Sequence, residues 1–184
     1  MKKITLLIAI FLVANSLIAQ KYFTKTGHIS FFSTTPVEDI KADNYQSSSV
    51  INFENGDIVF SVLMKGFEFE KALMQEHFNE KYVESDEFPK TKFTGNIKNF
   101  ETVNLSKNGA YEVEVEGKMT LHGVSKEVST NGTLVVKYGL VSGKADFVLA
   151  PEDYEINIPA MVRDKIAKTV TITVDMEYKE FKRK

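Results

Sequence analysis

The chain has 184 residues, no cysteine and a formal charge of −2, and this length suffices for one domain with a core of its own. The absence of cysteine excludes disulfides, thiolate metal sites and cysteine nucleophiles together. A charge this close to balance carries no footprint for nucleic acid, so no nucleic-acid partner is expected.

Met1-Lys2-Lys3 is a basic start, Ile4 to Val13 is apolar apart from Thr5, and small Ala19 precedes Gln20. That is the charged region, apolar region and small-residue cleavage site of a secretory signal. The apolar run is too short for a permanent membrane span. The expectation is a cleaved signal peptide over residues 1–19 and one domain over 20–184, periplasmic or secreted. No cysteine follows the cleavage site, so neither a lipoprotein anchor nor an integral membrane anchor is expected. ATP and NAD(P)H are not expected outside the cytoplasm, and no cofactor is expected.

Strand patterning dominates the rest. Strands are expected at Lys21–Ser33 and Ser47–Glu54. In "DIVFSVLMKG" the residues Ile58, Phe60, Val62 and Met64 share one face. Residues Phe69 to Val83 break the pattern. They are good helix formers with few β-branched residues, and Met74, Phe78 and Tyr82 recur every four residues, with Leu73 and Phe67 near the same face. This segment reads as an amphipathic helix, ended by Pro89. A strand follows at Thr91–Phe100. In "YEVEVEGKMTL" Tyr111, Val113, Val115, Met119 and Leu121 oppose Glu112, Glu114, Glu116, Lys118 and Thr120. Strands at Val124–Tyr138 and Val141–Ala150 come next. "VTITVDMEY" then sets Val170, Ile172, Val174, Met176 and Tyr178 against polar neighbours. Asn55-Gly56, Asn108-Gly109, Asn131-Gly132 and Ser142-Gly143 read as turns.

Strands with one apolar and one polar face belong to antiparallel sheets wetted on one side. About eight at hairpin spacing imply an all-β sandwich or barrel with one short helix. Closure would remove edges that invite pairing with other chains. An eight-stranded barrel has an interior that side chains just fill, or that holds one small ligand.

Three histidines, His28, His77 and His122, stand at no metal-ligand spacing, and no Gly-x-Ser-x-Gly elbow is present. His122, beside Gly123, reads as a hydrogen-bonded turn residue. No metal site and no catalytic residue is expected. The basic end "EFKRK" allows transient contact with an anionic membrane surface, although such tails are commonly just solvated.

Three stretches resemble the YceI-like lipid-binding family: "EHFNEKYVESDEFPKTKFTG", "VEGKMTLHGVSKEV" with Gly117 to Lys126 closest to the family pattern, and "FVLAPEDYEINIPAMVRDKIAKTVTITVDMEY". The resemblance runs in order along the whole chain after residue 19. It implies an eight-stranded antiparallel lipocalin-like barrel with a helix against it. It also implies an exported, non-enzymatic protein that holds a long apolar chain: an isoprenoid, an isoprenoid quinone or a fatty-acid derivative. Met74-Gln75 stand where many members carry Arg-Asp, and Pro151 stands where an Arg is often found.

Pattern alone leaves two readings of the inward residues. Phe60, Val62, Met64, Phe93, Val115, Met119, Ile172 and Val174 either fill an ordinary close-packed core or line a ligand tunnel, and the resemblance favours the tunnel. The segment from Phe67 to Tyr82 would then close it, with Leu73, Met74 and Phe78 over the mouth or on the ligand. The alternatives are a hydrolase or isomerase acting on such a lipid through His122 or His77, and a structural or interaction barrel with a filled core.

Overall fold

The structure is a computed structural model that describes residues 20–182. The expected signal peptide lies outside the described residues. Nine strands are observed among the described residues: β1 (Lys21–Thr34), β2 (Asp39–Asn52), β3 (Asp57–Leu63), β4 (Phe67–Phe69), β5 (Lys90–Ile97), β6 (Gly109–Leu121), β7 (Val124–Lys137), β8 (Leu140–Leu149) and β9 (Val170–Glu180). The neighbour order is β1-β9-β8-β7-β6-β5-β3-β2, all antiparallel, and β1 pairs with β2 to close the ring. The result is a closed eight-stranded barrel, as expected. The three-residue β4 adds no stave. After a 3₁₀ turn at Met64–Gly66 it carries the path of β3 onward and pairs with Ala42–Asn44 at the other end of β2.

Strand β2 starts eight residues before the expected Ser47, at Asp39. The early half was hidden because its inward face is polar or small: Ala42, Asn44 and Ser47 are fully buried. These residues are satisfied internally, as buried polar groups must be. Asn44 Nδ2 donates to the Leu63 carbonyl at 2.7 Å, and Asn44 Oδ1 accepts from the Gln46 amide at 2.8 Å. The Asn44 side chain thus takes up a carbonyl where β3 leaves the ladder.

Two of the expected turns are not turns. Asn131-Gly132 lies inside β7 and Ser142-Gly143 inside β8. Both glycines line the barrel interior, where they keep the wall thin. The tight turns are His122-Gly123 and Tyr138-Gly139, whose residues have φ of 51° and 75°, and 52° and 79°. Two successive positive φ values make a type I′ turn, whose twist matches the strands it joins.

The helix is shorter than expected. Phe67–Phe69 are extended, and α1 spans only Ala72–His77. Phe78–Tyr82 then widen into a π turn, with the Val83 amide bonding the Phe78 carbonyl five residues back at 2.9 Å. No helix among the described residues is long and apolar enough to cross a membrane.

Gly95 of β5 faces Gly117 of β6, and the Phe93 ring lies over both. A Cβ on Gly117 would strike the Gly95 Cα and the Thr94 carbonyl, which are backbone and cannot swing aside. Gly117→Ala is therefore expected to lower stability by about 1–3 kcal/mol, the usual cost of overpacking. The adjacent outward Lys118→Ala should change it by less than about 0.5 kcal/mol. Urea unfolding of the two variants checks this.

Candidate functional site

The barrel is hollow. One apolar cavity of about 560 Å³ runs inside it, within the usual range for a pocket that holds a small molecule. The burial pattern along the strands shows where it lies. Inward residues near the ends of β6 and β9 are buried: Val113, Met119, Leu121, Val170, Met176 and Tyr178. Those between them, Val115, Ile172 and Val174, are only half-buried although they also point inward. The same holds for Phe60 and Phe93, whose rings meet edge to face at 6.1 Å. Apart from the Phe60–Phe93 contact, these side chains border the cavity.

The end of the barrel away from α1 is plugged. Ile51, Ile97, Val136, Val141 and Met176 are almost entirely buried there. Tyr178 joins them, its hydroxyl 3.0 Å from Ser49 Oγ. Burial pushes the Tyr178 hydroxyl well above its ordinary ionisation range, and the bond to Ser49 offsets only part of that.

The opposite end is roofed by two insertions. The first is the β4–α1 segment. Phe78 packs on Phe31, Phe67 and Phe69 with ring centroids 5.6, 5.5 and 5.1 Å away. Aromatic contacts at such distances add to simple area burial. Gln75 Oε1 accepts the Phe69 amide at 3.2 Å and ties α1 back to β4. The second insertion is the connector between β8 and β9, whose Tyr154, Ile156 and Ile158 are buried. It crosses a slack seam of the barrel. β7 pairs with β6 over its whole length, from Val124 to Lys137. It pairs with β8 only from Gly132 to Lys137. Beyond that point the strands part toward the roof, and Val128, Phe147, Leu149, Ile156 and Ile158 line the cavity across the gap.

His122 staples this roof together. Its Nδ1 donates to the Tyr154 carbonyl at 3.0 Å, and its Nε2 lies 2.8 Å from Glu84 Oε2 just past the π turn. Phe88 packs edge-on against the imidazole, with centroids 4.7 Å apart. One turn residue therefore links the β6–β7 hairpin to both insertions, which agrees with the expected role of His122 as a hydrogen-bonded turn residue.

All twelve residues expected at the tunnel line the cavity: Phe60, Val62, Met64, Phe67, Leu73, Met74, Phe78, Phe93, Val115, Met119, Ile172 and Val174. Leu73 stands at the opening and remains 60% exposed. Sequence reasoning missed the contributions of β1, β8 and the connector, including Ile29, Phe31, Phe147, Leu149, Val162 and Ile166. It also missed the charged residues at the opening, Glu38, Lys71 and Lys165. The "IAK" and "INIP" stretches belong to no strand, so no period pointed to them.

A family model described as YceI-like domain matches residues 18–178. Among solved structures, a polyisoprenoid binding domain from Saccharophagus degradans superposes with a TM-score of 0.78 at 13% identity, covering 89% of this chain and 99% of that one. BcnA from Burkholderia cenocepacia gives 0.69 at 12% identity, covering 83% and 96%. The YCEI protein of Campylobacter jejuni gives 0.54 at 13%, covering 77% and 85%. At such identities the likeness is one of fold. No curated protein matches the sequence.

Two predictions follow from the plugged end and the staple. An unfolded tyrosine loses its proton near pH 10, whereas folded Tyr178 keeps it to higher pH. The folded state then binds more protons than the unfolded state, so stability falls as pH rises above 10, by up to about 1.4 kcal/mol per pH unit from this group. Urea midpoints measured from pH 8 to 12 should show the fall, and Tyr178→Phe should make it shallower, the remainder coming from Tyr22, Tyr82 and Tyr154, which burial also raises. His122→Ala leaves the Tyr154 carbonyl and Glu84 without their partner and should cost about 1–3 kcal/mol. Hydrogen exchange in that variant should rise at residues 84–88 and 154–158 and stay unchanged at Ile51 and Val136.

Proposed function

Since the chain belongs to the YceI-like domain family, we propose that it is an exported protein that holds one long apolar chain inside its barrel, for carriage or storage. The ligand class is an isoprenoid, an isoprenoid quinone or a fatty-acid derivative. The observation that supports this reading most is the apolar interior void, closed at one end and roofed at the other by two inserted segments. The similar fold of a polyisoprenoid binding domain supports the same class. Export, with loss of residues 1–19 and a periplasmic or secreted destination, rests on the basic start and short apolar run of the N-terminus.

Physical chemistry makes such a ligand sufficient by itself. Each methylene taken out of water contributes about 0.8 kcal/mol, so ten of them contribute roughly 8 kcal/mol before the costs of ordering. A tight complex needs no strong polar contact. Polyunsaturated or branched chains suit a wall of Phe, Val, Ile and Met, because Met adapts its shape to an irregular surface. Phe60, Val62, Met64, Phe93, Val115, Met119, Ile172 and Val174 act as the wall in this reading, and Phe67, Leu73, Met74 and Phe78 as the closure.

The alternatives fit less well. A filled structural core does not accommodate a 560 Å³ void. A hydrolase or isomerase using His122 needs a free ring nitrogen, and both of its nitrogens are engaged; His77 lines the cavity, but among the described residues no hydrogen bond ties it to an acid, base or nucleophile.

Delipidated protein titrated with a fluorescent long-chain probe tests the reading. The expected result is one saturable site per chain, with the probe emission shifted to that of an apolar solvent. Met119→Lys, which sets an ammonium in the wall, should abolish binding while circular dichroism still reports strand. Lack of saturable binding by the unsubstituted protein would refute the proposal.

A further inference from the structure

An apolar wall determines how much of a ligand is buried and is indifferent to what stands at the ligand's polar end. That end has to meet the opening, and the opening is charged. Of the charged residues that line the cavity, Lys144 points outward and is paired with Asp175 at 2.7 Å. Glu38, Lys71 and Lys165 instead gather at the roofed end, contributed by the β1–β2 loop, the start of α1 and the β8–β9 connector, with His77 of α1 nearby.

Glu38 is held in place. Thr35 Oγ1 accepts the Glu38 amide at 3.1 Å and donates to the Glu38 carbonyl at 3.2 Å. Lys71 Nζ donates to Glu38 Oε1 at 2.8 Å. That hydrogen bond, working against burial and assisted by the charges of Lys71 and Lys165, keeps the Glu38 carboxyl below the ordinary carboxylate range. Lys165 has no carboxylate within ion-pair distance among the described residues. Among the residues that line the rim, two ammonium groups therefore face one carboxylate; Glu70, whose charge also acts on Lys71, stands beside the Lys71–Glu38 pair, and Lys165 is the lining cation outside any ion pair among the described residues.

We propose that this rim is a head-group subsite for a single anionic group, a carboxylate or a phosphate, at the end of the apolar chain, with Lys165 as its counter-ion and the Lys71–Glu38 pair holding a second ammonium beside it. The inference rests on the apolar-chain reading above. An anion here gives Lys165 the kind of partner that Glu38 gives Lys71. A neutral alcohol leaves Lys165 to water, and a cationic head group is repelled by it. Gln75 of α1 is spent on the Phe69 amide.

Competition against the fluorescent probe at low ionic strength tests this, using a carboxylate, an alcohol and a trimethylammonium of matched chain length. The carboxylate should compete about fivefold better than the alcohol, the scale of one exposed ion pair, and the trimethylammonium worst. Lys165→Gln should remove most of that preference and Lys165→Glu should reverse it. Glu38→Gln should enlarge it, and Lys168→Gln on the same connector should leave it alone. Acetate and inorganic phosphate should not displace the probe. Equal competition by carboxylate and alcohol, or a preference that survives both Lys165→Gln and Lys71→Gln, overturns the subsite and leaves the apolar-chain reading standing. Displacement by acetate or phosphate alone also overturns it, because the anion would then bind without a tail. Failure of all three long-chain compounds, together with the probe, overturns both.

Discussion

Closure of the hydrogen-bond ladder between β1 and β2 is the constraint on which everything else depends. Once the ring is closed at eight strands its perimeter is set, and with it the room inside. The inward side chains then decide whether that room is filled. At the end away from α1 they fill it with Ile51, Val136, Val141, Met176 and Tyr178. At the waist they do not. Gly132 and Gly143 leave the wall thin there, and Phe60, Phe93, Val115, Ile172 and Val174 border the space that remains. Closure also pairs most of the sheet edge, leaving the parted stretch of β7 and β8 as the place where the connector packs.

The roof follows different physics. It is assembled from short pieces with little regular structure: a six-residue helix, a π turn and a connector with isolated 3₁₀ turns. Such pieces cannot hold their positions by backbone hydrogen bonds alone. They are held by the phenyl cluster around Phe78 and by the two bonds of the His122 imidazole. Few bonds and one ring cluster make this end the less stable part of the barrel, which is the property a covering segment over a binding site requires.

Much of the wall was legible from sequence because β6 and β9 alternate cleanly, and a strict period of two assigns every inward residue once one is known. The same rule explains what was not legible. β1 shifts register between Thr24 and Ile29, so its alternation changes phase and Ile29 and Phe31 could not be set beside the residues of β9. The first half of β2 turns small and polar residues inward, and its inward face is satisfied by bonds to distant backbone that no local pattern reveals. The Asn-Gly and Ser-Gly steps in β7 and β8 look like turns, but those glycines serve for space. The true turns place His122 and Tyr138 at positive φ; the glycine after His122 made that turn legible, whereas a bulky tyrosine at the other does not advertise it. Helix length was overestimated because Phe67 and Phe69 share the apolar period of the helix while pairing with β2. The charged rim could not be found at all, since Glu38, Lys71 and Lys165 are far apart in sequence and meet only through closure of the barrel.

The central claim is that the barrel carries a guest in the space its own residues leave vacant. Intact mass measurement of the folded protein, isolated from its own host without detergent, tests it most directly. The account predicts a discrete added mass of one small molecule per chain under native conditions, lost on denaturation and recovered in an organic extract. A folded protein with the mass of the bare polypeptide, unchanged by exposure to long-chain lipids, would contradict it.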